Sequence, residues 1–129
     1  MLLPPSAVAG TLKAFSLFAI ATGTLDILLG TAMAGTPAES PATSPTMRLI
    51  DSQLRFLGAM WAGYGLMLWW ITDDLPGRRT PLALLSGVMV AGGVGRAISG
   101  ARYGFSATWV AVAMWVELLG PAGLYLLAR

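Results

Sequence analysis

Four long apolar runs, separated by short polar segments, leave few folds open to this chain. They extend from about Thr11 to Ala34, Met47 to Thr72, Pro81 to Ser99 and Phe105 to Ala128. A helix needs about 20 apolar residues to cross a hydrocarbon core about 30 Å thick, and each run approaches that length. None alternates polar and apolar residues in the way the strands of a membrane barrel do. Composition points the same way, since 56% of the 129 residues are hydrophobic and 11% charged, against about 25% charged in an ordinary soluble domain. A small soluble domain has much surface to cover with polar groups. This chain lacks them, so its outer surface is expected to face lipid. The expected fold is all-α: an integral membrane four-helix bundle forming one domain over residues 1–129.

The connections fit that reading. Gly35 to Pro45 is rich in Pro, Ser and Thr and reads as a loop outside the lipid. Asp73, Asp74, Pro76, Gly77, Arg78 and Arg79 make a polar turn, with Thr80 expected to cap the third span and Pro81 at its first helical position. Gly100 to Gly104 makes another turn, and the tryptophans are expected to anchor span ends at the membrane interface. Ala32-Met33-Ala34 resembles a signal-peptidase site, but the run before it is long, contains Asp26 and lacks a basic leader beyond Lys13, so an uncleaved span is expected. With Lys13, Arg78, Arg79 and Arg129 on one side, the charge balance places both termini in the cytoplasm of a multi-pass cell-membrane protein.

Several function classes fall away. Cysteine and histidine are both absent, which removes thiolate chemistry, the usual proton shuttle and the commonest metal ligands. No Lys/Arg cluster of the kind that neutralises phosphates is present, so no nucleic-acid partner is expected, and no cofactor motif is visible.

What remains is a small set of charges inside the spans: Asp26, Arg55, Arg96 and Glu117. Each costs roughly 2.5 kcal/mol or more at the bilayer centre, so such residues face the protein interior and pair. On a rise of about 1.5 Å per residue, Asp26 and Arg55 both lie about 12 Å from the span ends that flank the long loop, with Arg96 shallower and Glu117 deeper. Two readings stand side by side. The four charges form a structural ion-pair network that fixes helix register, or they line a polar pocket for a small or lipid-like molecule, with Asp51, Gln53 and Ser99 at its rim. Asp51 and Arg55, at i and i+4, also read as an ordinary helix pair.

Small residues mark candidate packing faces. These are Ala19, Gly23, Asp26 and Gly30 in the first span, and Asp51, Arg55, Gly58, Ala62 and Gly65 in the second. In the third, Ala83, Gly87, Ala91, Gly95 and Ser99 are expected to pack inside the bundle, and in the fourth Ala113, Glu117 and Gly120 share a face. Pro121 leaves the carbonyl of Glu117 without its helical donor.

The stretch from Asp51 through Arg55 to Gly58, then Gly95-Arg96-Ala97-Ile98-Ser99, Gly104 and Glu117, resembles the bacterial four-helix membrane family catalogued as domain of unknown function 4345. The resemblance implies four spans in one bundle, an arginine in each of spans two and three and a glutamate in span four. It supplies no activity. Ser106 stands where that family often carries proline.

Three hypotheses follow in order. A binding protein would use Arg55 and Arg96 to hold an anionic or carbonyl head group, with Asp26 and Glu117 tuning the charge; its partners would be membrane lipid or a lipid-like small molecule. A structural subunit would dock its apolar faces onto a membrane protein partner. An enzyme ranks third, because no nucleophile, metal or cofactor motif is present.

Overall fold

The computed structural model describes residues 5–34 and 40–127. These form α1 (Pro5–Leu29), continued by a 3₁₀ turn (Gly30–Ala34), then α2 (Pro45–Thr72), α3 (Arg79–Tyr103) and α4 (Thr108–Leu127), with no strand among the described residues. The all-α expectation holds, and three segments are long and apolar enough to cross a membrane: Ser6–Met33, Arg79–Tyr103 and Thr108–Leu126. The remaining helix, α2, is 28 residues long. Arg48, Asp51 and Arg55 crowd its first half and dilute its apolar character.

Several helix ends differ from the sequence reading. α1 begins at Pro5 instead of Thr11, and α2 at Pro45 instead of Met47. A proline at a first helical position forfeits no hydrogen bond, and Ser44 Oγ accepts the Met47 amide at 3.4 Å, as an N-cap does. Thr80 does not cap α3. The cap position is Arg78, without a side-chain cap bond. The preceding turn is already helical in its backbone bonding, Arg78 N–H donating to Asp74 O at 2.9 Å and Leu82 N–H to Arg78 O at 3.1 Å. At its other end α3 absorbs most of the expected turn and runs to Tyr103, stopping at Gly104 with φ +77°. That left-handed backbone suits glycine.

The chain divides into two compact units, Thr11–Trp70 and the remainder on either side of it. In the Thr11–Trp70 unit, α1 and α2 meet backbone to backbone. A Cβ added at Gly23 would lie 2.5 Å from Gly58 O, and one at Gly65 would lie 2.7 Å from Ser16 O. The small-residue faces read for these helices are thus the faces that touch. Aromatic packing reinforces them. Trp61 meets Phe15 edge-on at 5.8 Å, stacks on Tyr64 at 5.4 Å and donates its indole N–H to Thr22 Oγ1 at 2.9 Å. Trp61 therefore belongs to the packing and not to an interfacial belt, whereas Trp69, Trp70, Trp109 and Trp115 are exposed. Hydroxyls of α1 bond back to their own helix, buried Ser16 to Lys13 O and exposed Thr24 to Ile20 O, each at 2.7 Å.

In the second unit α3 buries Leu82, Leu85, Met89 and Gly93, and α4 buries Met114. A Cβ at Gly93 would lie 2.9 Å from Leu118 Cγ. Arg79 lies over the Tyr125 ring at 5.6 Å and ties the first turn of α3 to the end of α4. This corrects the sequence reading of α3. Ala83, Gly87, Ala91, Gly95 and Ser99 are all exposed, and a Cβ at Gly87 or Gly95 would meet nothing within 4 Å. α3 instead buries the bulky Leu82, Leu85 and Met89, which removes more apolar area from the surface than burying this row of small side chains would.

Candidate functional site

The two arginines within the apolar runs have different surroundings. In the Thr11–Trp70 unit, Gly30 (φ +54°) ends α1 and exposes its last carbonyls. Arg55 satisfies them. Its Nη1 donates to Ile27 O at 2.6 Å and to Leu28 O at 3.1 Å, while its Nε donates to Asp51 Oδ2 at 2.7 Å. The other oxygen of Asp51 accepts the Thr31 amide at 2.9 Å and the Thr31 hydroxyl at 3.1 Å. Gly30 lies against this pair so closely that a Cβ would overlap the Asp51 carboxylate. One acid and one base of α2 thus fasten the end of α1, with the partial negative charge of the helix terminus facing the guanidinium.

In the second unit, Arg96 Nε donates to Glu117 Oε1 at 3.0 Å and Oε2 at 2.9 Å. Gly93, one turn before Arg96, brings α3 close enough to α4 for this pair, since a Cβ there would lie 3.1 Å from Glu117 Cβ. The Glu117 side chain is 15% exposed and the Arg96 side chain 40% exposed. Because Nε alone serves the carboxylate, the Nη1 and Nη2 groups of Arg96 have no partner among the described residues.

Arg96 also forms one wall of a half-open cleft of about 430 Å³, completed by Ser99, Tyr103, Gly104, Phe105, Ser106 and Val110. That volume falls in the range of small-molecule sites, about 300–1,000 Å³. The cleft exists because Gly104 turns the chain sharply and Phe105 folds back onto Gly100, where a Cβ would collide with the ring. Its lining residues combine apolar Phe105 and Val110 with Arg96 and with three hydroxyl-bearing residues, Ser99, Tyr103 and Ser106.

The residues singled out from sequence are therefore distributed as follows. Arg96 and Glu117 meet, and Ser99 shares the cleft with Arg96. Arg55 meets Asp51, as the i, i+4 spacing suggests, and not Asp26. Asp26 is half-buried, its Cβ against Gly58, and no hydrogen-bond or ion-pair partner reaches its carboxylate among the described residues. Gln53 is exposed. Sequence reasoning missed Thr31, Phe105 and Ser106. The left-handed Gly104, four residues after Gly100, is the signal that could have led to the last two.

A family model described as Domain of unknown function (DUF4345) matches residues 8–128. No curated protein and no solved structure matches the chain.

Proposed function

The chain belongs to the DUF4345 family, and on that premise we propose that it is a membrane protein whose Arg96 cleft holds a small or lipid-like, polar-headed molecule. The observation that carries this reading is the state of Arg96. Glu117 holds it in place through Nε, neither terminal nitrogen has a partner among the described residues, and Arg96 is one of the residues that line a cleft. A guanidinium with free N–H groups in an apolar setting is costly unless something accepts those bonds. Arg55 has no such surplus at Nε and Nη1, which serve Asp51 and two carbonyls. The binding role therefore falls to Arg96, Glu117 and Ser99, and Arg55 with Asp51 is assigned to holding α1. Arg96 lies about 10 Å from the end of α3 on a helical rise of about 1.5 Å per residue, a depth that suits a molecule with its head near the interface and its body in lipid.

In this reading α2 joins the three apolar helices as a fourth span of one domain, with both termini on the cytoplasmic side of the cell membrane. The test is native mass spectrometry of protein purified in mild detergent. Wild type carries a retained small molecule, and the Arg96→Gln/Glu117→Gln double variant, which removes the charges together, loses it while remaining folded. Retention unchanged in the double variant would refute the proposal.

A second reading, a subunit that docks on another membrane protein, is favoured by one observation: the exposed small-residue face of α3 from Ala83 to Ser99. Such faces permit close helix approach in lipid. Cross-linking in intact membranes separates the two, since a docking subunit yields a heterologous product through this face and a stand-alone binder yields none.

A further inference from the structure

We propose that a second groove, between the start of α3 and the end of α4, holds the acyl chain of an anionic membrane lipid, with Arg79 as the contact for its head group. The groove has a volume of about 300 Å³ and is lined by Ala83, Gly87 and Val90 from α3 and by Pro121, Ala122 and Tyr125 from α4. Apart from the hydroxyls of Ser86 and Tyr125, its lining side chains are apolar. A Cβ added at Gly87 would meet nothing within 4 Å, so the space over that residue is open to a guest. Apolar atoms that line an unfilled void forfeit their dispersion contacts, and in a membrane the filler at hand is a hydrocarbon chain.

Arg79 gives the groove a polar end. It stands one turn before Ala83, in the i, i+4 row that continues to Gly87. Its guanidinium lies over the ring of Tyr125, a lining residue, at 5.6 Å. Helical row and ring contact both put it where α3 begins and α4 ends. Its side chain is half-buried and has no hydrogen bond or ion pair among the described residues, so neither Asp73 nor Asp74 of the preceding turn pairs with it. A ring face attracts the charge but offers the N–H groups no oxygen; an anionic head group supplies one. The length fits the chain of one leaflet. From Arg79 to Val90 is about 16 Å on a rise of about 1.5 Å per residue, close to half of a hydrocarbon core about 30 Å thick. Arg96 lies about 25 Å from Arg79 along α3 on the same rise, so this site and the Arg96 cleft belong to opposite ends of the helix and neither needs the other.

The experiment uses the full chain in phosphatidylcholine vesicles. Two probes of identical chains, one phosphatidylglycerol and one phosphatidylcholine, each carry a photoreactive group midway along one chain and are added at the same low level. Adducts are mapped by peptide mass spectrometry. The expected result is an excess of adducts on residues 83–90 and 121–125 over the lipid-exposed Val112 and Leu119. Phosphatidylglycerol should exceed phosphatidylcholine in the groove by about fivefold, the equivalent of about 1 kcal/mol for one basic residue near a membrane surface. Arg79→Gln should bring the two probes to equal yield and keep the chain in place. Gly87→Leu should fill the groove and remove the excess for both probes, with circular dichroism unchanged because the space over Gly87 is open. Groove yields no higher than at Val112 and Leu119, or unmoved by Gly87→Leu, would overturn the proposal. Equal yields from the two head groups in the wild type would overturn it too. An efficient disulfide between chains in Gly87→Cys, in place of lipid adducts, would give the face to a partner helix and likewise overturn it.

Discussion

Arg55 Nη1 donates to the carbonyl oxygen of Ile27 at 2.6 Å, joining residues 28 apart in the chain. The contact gives a charged residue of α2 a structural task at the end of α1. Replacing Arg55 with Leu should strand the Ile27 and Leu28 carbonyls and the Asp51 carboxylate together. A loss of about 1.5–3 kcal/mol is expected from hydrogen bonds to charged groups. Hydrogen exchange in detergent should show faster exchange confined to the 3₁₀ turn and the last turn of α1. Unchanged protection there would argue that the end of α1 holds itself.

The approach of α1 to α2 predicts a contrast between glycines. Gly23→Ala places a Cβ 2.5 Å from Gly58 O and should destabilise the protein by about 1–3 kcal/mol, the usual cost of overpacking. Gly63→Ala meets nothing within 4 Å. It should be neutral or stabilising by up to about 1 kcal/mol, since glycine is a poor helix former. Thermal unfolding of the two variants side by side checks both signs.

Arg96 and Glu117 should behave as a coupled pair. Glu117 is the more buried partner, so Arg96→Gln, which leaves it unpaired, should cost more stability than Arg96→Gln/Glu117→Gln. A double-mutant cycle should return a coupling of about 1–3 kcal/mol. Additive losses would mean the pair is formed without consequence.

Membrane topology can be read with single cysteines, because the chain has none of its own. Asp74→Cys, in the turn before α3, should react with an impermeant maleimide added from the cytoplasmic side. Thr43→Cys, just before α2, should react from the opposite side. Labelling of both from one side would remove α2 from the set of spans.

The legibility of the sequence divides along physical lines. The faces of α1 and α2 could be read because small residues there coincide with a close backbone approach, as at Gly23, Gly58 and Gly65. The same pattern misled in α3, where Leu82, Leu85 and Met89 pack and the small row stays outside. Small size permits an approach without compelling one. Charge counting grouped Asp26, Arg55, Arg96 and Glu117 as one balanced set without assigning pairs, and of these only Arg96 and Glu117 meet among the described residues. It could not foresee that Arg55 would serve the carbonyls of Ile27 and Leu28, since every residue carries a carbonyl and none is visible as a letter. The cleft was hidden for a related reason. It is made by the direction of the chain after Gly104 and by the Phe105 ring lying on Gly100, not by a motif.

Photo-cross-linking tests the cleft most directly. A lipid carrying a photoreactive group beside its phosphate would be incorporated into membranes holding the full chain, and the adducts mapped by peptide mass spectrometry. Adducts concentrated between Ser99 and Val110, and lost when Arg96 and Glu117 are neutralised together, are the predicted result. Adducts scattered evenly over the exposed faces of the apolar helices, with no change in the neutralised variant, would contradict it.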